Sequence, residues 1–182
     1  MSPLSAWMSW EGGVDLVAST GPDMDQPNVI VHVGRLTHTP SGSSPAGMIL
    51  YAPHGMPPLA MGFIAGDPKV GAYFGPNIFA GTPFENAPHH AAVIDVTTGE
   101  DWCAAHIQME GLVIETRLEK LGPLELVHRE ATDLPFVQTA IEAAAASATL
   151  RINGEDIALH LPPKGLAGGA PAVWSPTGMY TR

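Results

Sequence analysis

Glycine and proline recur so often in this chain, 38 times in 182 residues (20 and 18), that few stretches are long enough to form a helix before a break intervenes. Proline removes a backbone donor and glycine weakens any helix interior, so this punctuation favours short strands joined by turns. The spacing agrees. Residues 28–37, NVIVHVGRLT, alternate and are rich in β-branched side chains; a glycine–serine loop follows, then a strand at 48–52. PHGMPP breaks the chain, LAMGFIAG resumes it, Asp67-Pro68 turns it, and 69–74 reads as a further strand. The apolar run 91–96 and the turn TTGE open a hairpin whose second arm, 102–120, is too long for one straight strand, so Gly111 reads as its bulge. Gly122-Pro123 then turns the chain into a strand at 124–129.

Two local signatures are more specific. Residues 132–148, TDLPFVQTAIEAAAASA, read as the one helix: Thr132 or Asp133 caps it, Pro135 fits its first turn, and alanines fill it. Residues 149–161 read as a hairpin with an Asn153-Gly154 turn, which sets Leu150 opposite Ile157 and Arg151 opposite Asp156. The expectation is a mainly β fold, a split β-barrel in one domain spanning 1–182, with irregular termini at about 1–27 and 162–182. The last of these is a tail anchored by Trp174 and Tyr180.

Charge and composition narrow the function. Hydrophobic residues make up 45% and charged residues 14%, with a net charge of −10, and the eight lysines and arginines stand singly. No basic stripe exists to neutralise a phosphate backbone or an anionic membrane, so neither nucleic acid nor membrane is expected as a partner. The sparsely charged surface favours association with a second copy. The first residues lack the basic and apolar regions of a secretory signal, which makes the cytoplasm the default location. The single Cys103 cannot form an internal disulfide and reads as a buried strand residue.

Residues 75–101 join a Gly/Thr/Asn-bearing turn to an apolar strand, a combination able to aim backbone N–H groups and a hydroxyl at a phosphate or carboxylate, or simply to make a turn. His89 and His90 precede that strand and His106 lies on its hairpin partner. The register decides which of the pair shares a face with His106, and with it whether a metal site could form there. The Gly-x-Ser-x-Gly, Walker and Gly-x-Gly-x-x-Gly signatures do not occur.

Taken in order, LAMGF at 59–63, FAGTPFEN at 79–86, AVIDVTTGED at 92–101 and TAIEAAAAS at 139–147 resemble the flavin-reductase-like FMN-binding split barrels, in particular their branch in archaea, planctomycetes and methylotrophs. The resemblance covers roughly 59–151. It implies a homodimer holding FMN at the subunit interface, the phosphate at Gly81, Thr82 and Asn86, and the ring system on Met61, Gly62 and apolar residues such as Phe79. It also implies oxidoreduction with a nicotinamide or small organic substrate, in which the flavin carries the hydride; no residue stands out as a base. The chain departs from the family pattern where an arginine usually precedes the phosphate turn: 73–80 contains no cation, so Arg35 or the partner's Arg129 would have to serve. Two other readings stand beside it, a non-catalytic small-ligand-binding β-barrel and a metal-dependent enzyme using His90 and His106.

Overall fold

The computed structural model describes residues 6–22, 26–132 and 134–182. Twelve strands form a nearly closed, barrel-shaped sheet. They are β1 (Trp7–Ala18), β2 (Val29–Thr39), β3 (Gly42–Tyr51), β4 (Leu59–Ile64), β5 (His89–Ala91), β6 (Val93–Thr98), β7 (Trp102–Met109), β8 (Leu112–Leu121), β9 (Glu125–Arg129), β10 (Val137–Ile152), β11 (Glu155–Ile157) and β12 (Ala172–Thr181). Across the sheet the order is β5-β4-β3-β2-β1-β12-β10-β8-β7-β6, with β9 and β11 also pairing with β10. All pairings are antiparallel except β4 with β5.

The expected mainly β barrel is observed, but the Ala-rich segment is not its helix. Residues 137–152 form β10, the longest strand, whose first half pairs with β12 and β9 and whose second half pairs with β8 and β11. Alanine favours helices in isolation, yet here the tertiary pairing overrides propensity. The register shifts between Ile141 and Ala143, where the strand passes from one half of the sheet to the other, and the small side chains there occupy little space. Asp133, one of the two proposed caps, lies outside the described residues.

The helical residues lie instead at α1 (Pro68–Tyr73), continued by a π-helical turn, Phe74–Ile78, in the segment expected to be a strand. The Asp67 carboxylate accepts from the Lys69 amide at 2.9 Å and Pro68 occupies the first turn, so Asp-Pro acts as helix cap and first residue rather than as a turn. Gly111 is likewise not a bulge: with φ of +74° it turns β7 into β8. The Asn153-Gly154 hairpin matches expectation in every pair, Leu150 with Ile157 and Arg151 with Asp156, both turn residues having positive φ.

The expected irregular termini are corrected as well. Each contains a strand, β1 and β12, while 162–171 is irregular as expected, and β12 lies between β1 and β10 in the middle of the sheet. That placement buries the wall formed by β1–β4 on both faces. One face, with Val14, Leu16, Val31, Val33, Ile49 and Phe63, packs on Cys103, Ile107, Ile114, Leu118 and Leu150 inside the barrel. The other, with Met8, Trp10, Met48 and Ile64, is covered by α1 and by Phe74, Ile78, Phe79, Phe84 and Phe136. Burial pushes the Cys103 thiol up to about 12, so it behaves as a small hydrophobic group.

Candidate ligand-binding cavity

Trp10 and Asp15 have opposite parity on β1, yet both reach His32: the Trp10 ring stands edge-on to it at 5.5 Å, and the Asp15 carboxylate bonds its Nδ1. The change of side follows from Gly12, whose φ of +65° belongs to the left-handed region that favours glycine. Asp15 is directly opposite His32 across β1 and β2. A carboxylate only accepts, so Nδ1 carries the hydrogen. The His32 Nε2 is buried and, among the described residues, has no hydrogen-bond partner.

A second polar group is assembled from β9, β10 and β12. Tyr180, Gln138 and Arg129 are cross-strand neighbours in one row, and Glu142 lies four residues along β10 from Gln138. Arg129 grips Glu142 with both guanidinium nitrogens, at 2.8 and 2.7 Å, while Gln138 donates to the same carboxylate at 2.7 Å and accepts from Arg129 at 3.1 Å. This fork is nearly dry, with side-chain exposures of 18% for Arg129 and 7% for Glu142. The bond to Glu142 holds the guanidinium above its ordinary value. Burial pushes the Tyr180 hydroxyl well above its ordinary value, with the Asp15 and Glu142 charges acting in the same direction and Arg129 against it. Tyr180 is therefore a protonated donor at neutral pH, and among the described residues its hydroxyl has no partner.

These groups share one cavity of about 150 Å³. Its wall is mostly apolar, including Phe79, Phe84, Leu134, Phe136 and Leu166, and the rings of Phe79, Phe84, Phe136 and Tyr180 pack with centroids 4.1 to 6.2 Å apart. The loop 165–171 forms one side. It closes on itself through a 2.7 Å bond from the Gly165 amide to the Gly169 carbonyl, and it lies against Arg129 because position 169 lacks a side chain. None of the three lysines, Lys69, Lys120 and Lys164, lines the cavity.

The sequence-predicted site residues do not converge on a phosphate. Phe79 and Thr82 do line the cavity, but the Thr82 hydroxyl donates to the Phe79 carbonyl at 2.7 Å and accepts from the Phe84 amide. The Gly81 amide donates to the Glu85 carboxylate at 2.7 Å, so an anion already stands where the phosphate was expected. Asn86 is exposed, and Met61 packs against the barrel core on the other side of the wall from Phe79. Gly62 makes room for the His89 imidazole, since a Cβ there would fall 2.2 Å from the ring. The residues present do not fit FMN.

The metal reading is corrected too. His106 lies opposite Asp95 and Glu115, whereas His90 pairs with Phe63 on β4, and among the described residues no group of three His, Cys, Asp or Glu side chains could hold a metal ion. Sequence reasoning missed Asp15, His32, Gln138 and Glu142. The available signal was the period-two series Gln138, Ala140, Glu142 inside the supposed helix, all three buried.

Fold and site together define a β-barrel protein with a partly open, mostly apolar cavity carrying two internally paired polar clusters. No family model and no curated protein matches the chain. Among solved structures it is similar to acetoacetate decarboxylase from Legionella pneumophila, at 12% identity over 98% of this chain and 86% of that one, with a TM-score of 0.41. The expectation of an FMN-binding flavoprotein is corrected by the site itself: the segment assigned to the phosphate is closed by its own side chains, the Gly81 amide on the Glu85 carboxylate and the Thr82 hydroxyl on the Phe79 carbonyl. Among the described residues no helix is long and apolar enough to cross a membrane.

Proposed function

We propose that this protein is a small-molecule-binding barrel whose ligand is a compact, largely apolar molecule with one polar group. One observation carries the reading: a cavity of about 150 Å³, walled by aromatic and aliphatic side chains, also holds Asp15, His32, Arg129, Gln138, Glu142 and Tyr180. Apolar cavities of this size accept a ring the size of benzene. A few convergent polar groups in an apolar chamber are the usual construction of a ligand site, the apolar wall giving affinity and the polar groups orientation. Buried polar side chains are costly to assemble without a use in packing, and Arg129, Gln138 and Glu142 satisfy one another while, among the described residues, Tyr180 keeps an unused donor.

Benzyl alcohol is a suitable probe, with one ring and one hydroxyl. Titrated into the protein it should raise the melting temperature by mass action and shift the NMR resonances of Phe136, Leu166 and Tyr180. Val17→Phe, which fills the cavity from β1, should abolish both effects. Shifts confined to residues outside the cavity, or binding undiminished in Val17→Phe, would overturn the assignment.

A further inference from the structure

We infer that the polar group of the ligand is cationic, and that the cavity is built for a small organic amine whose ammonium meets Asp15 inside a cage of aromatic rings. This rests on the small-molecule reading above and adds the ligand's charge.

The charge inventory of the wall comes first. Arg129 and Glu142 cancel one another through two charge-assisted bonds and Gln138 completes their shell, so neither is left to receive a ligand charge. Asp15 is different. His32 engages one of its oxygens, Oδ1, and among the described residues the other has no donor. Its side chain keeps 22% of its surface against 7% for His32, so it is the accessible member of the pair. An entering anion would meet two carboxylates and one already committed guanidinium. A cation would meet a free carboxylate oxygen.

The rings supply the second argument. Phe79, Phe84, Phe136 and Tyr180 line the same cavity and stand at steep angles to one another, 65° for Phe79 with Phe84, 89° for Phe79 with Phe136 and 81° for Phe79 with Tyr180. Rings set at such steep angles present faces as well as edges to a guest among them, and an aromatic face attracts a desolvated ammonium. A carboxylate beside several aromatic walls therefore supplies both parts of an organic-cation site, counter-charge and cage. The net charge of −10 raises the local concentration of cations around the whole molecule.

Three isosteric probes separate the possibilities: benzylamine, benzyl alcohol and benzoate, titrated calorimetrically at pH 7 into the wild-type chain and into Asp15→Asn. The inference requires benzylamine to bind about tenfold or more tighter than benzyl alcohol, as one cation–π contact plus one counter-charge provides, with benzoate weakest. Asp15→Asn should erase the preference for the amine, bringing its affinity to that of the alcohol in the same variant. If benzyl alcohol binds as tightly as benzylamine, the charge inference fails and the small-molecule reading stands. If none of the three binds, the small-molecule reading fails as well. An amine preference that survives Asp15→Asn would show that Asp15 is not the counter-charge.

Discussion

His89 stands in a slot made by two glycines: a Cβ would fall 2.2 Å from its ring at Gly62 and 2.9 Å at Gly71, while Phe74 packs edge-on at 5.7 Å. Burial lowers its pKa, outweighing a backbone hydrogen bond at Ala87, and among the described residues its Nε2 has no partner. The consequence has a definite sign. Unfolding releases an imidazole of ordinary pKa, about 6.5, which takes up a proton more readily than the folded one, so acid favours the unfolded chain. Stability should fall as the pH drops through the ordinary histidine range and level off below the folded pKa. Urea midpoints measured from pH 8 to pH 5 should show a drop that shrinks in His89→Gln; an equal drop in the variant would assign the acid sensitivity elsewhere. The same residues show what a sequence conveys at this scale. Thr82 and Gly81 were legible as turn formers, but the partners that consume their donors, the Phe79 carbonyl and the Glu85 carboxylate, depend on the folded path of the loop. Arg129 and Glu142 are thirteen residues apart, and no local pattern pairs them.

At the scale of elements, what could be read was whatever local chemistry determines. Asn153-Gly154 fixes its hairpin because both residues accept positive φ, and the register of β10 with β11 follows from the turn alone. The Ala-rich stretch resisted reading because its environment, β12 and β9 on one half and β8 and β11 on the other, is supplied by strands on both sides of it in the chain. The loop 165–171 was read as a tail without period and is a wall of the cavity. Its closeness to the polar floor depends on Gly169, where a Cβ would fall 2.1 Å from Arg129 Nη2. Gly169→Val should push the loop off the guanidinium and open the bond between the Gly165 amide and the Gly169 carbonyl. Hydrogen exchange at Gly165 should then accelerate about tenfold or more, since each 1.4 kcal/mol of lost protection is a factor of ten, while β12 exchanges as before. Unchanged protection at Gly165 would mean that the loop holds its place without the close approach.

At the scale of the molecule, the sheet is completed by the pairing of β1 with β12. Trp7 on β1 pairs with Thr181 on β12, and the backbones of Ala6 and Arg182 exchange hydrogen bonds of 3.1 and 2.9 Å. β12 also carries Tyr180 into the cavity, while Arg182 ties the loop at Ala80 down with a 2.8 Å bond. The barrel and its cavity therefore depend on a pairing between residues more than 150 positions apart, and such contacts are slow to form because a long loop must close before they contribute. A circular permutant in which Arg182 is joined to Met1, with new ends cut in the exposed turn around His54 to Met56, makes β12 and β1 neighbours in sequence and leaves the cavity residues in place. It should fold to the same barrel, as permutation at an exposed turn generally allows. Its refolding should be faster than that of the parent in stopped-flow dilution from urea, with unfolding little changed. If the refolding rates are equal, the pairing of β12 with β1 forms after the rate-limiting step, and the barrel must be nucleated by the short hairpins β7–β8 and β10–β11 instead.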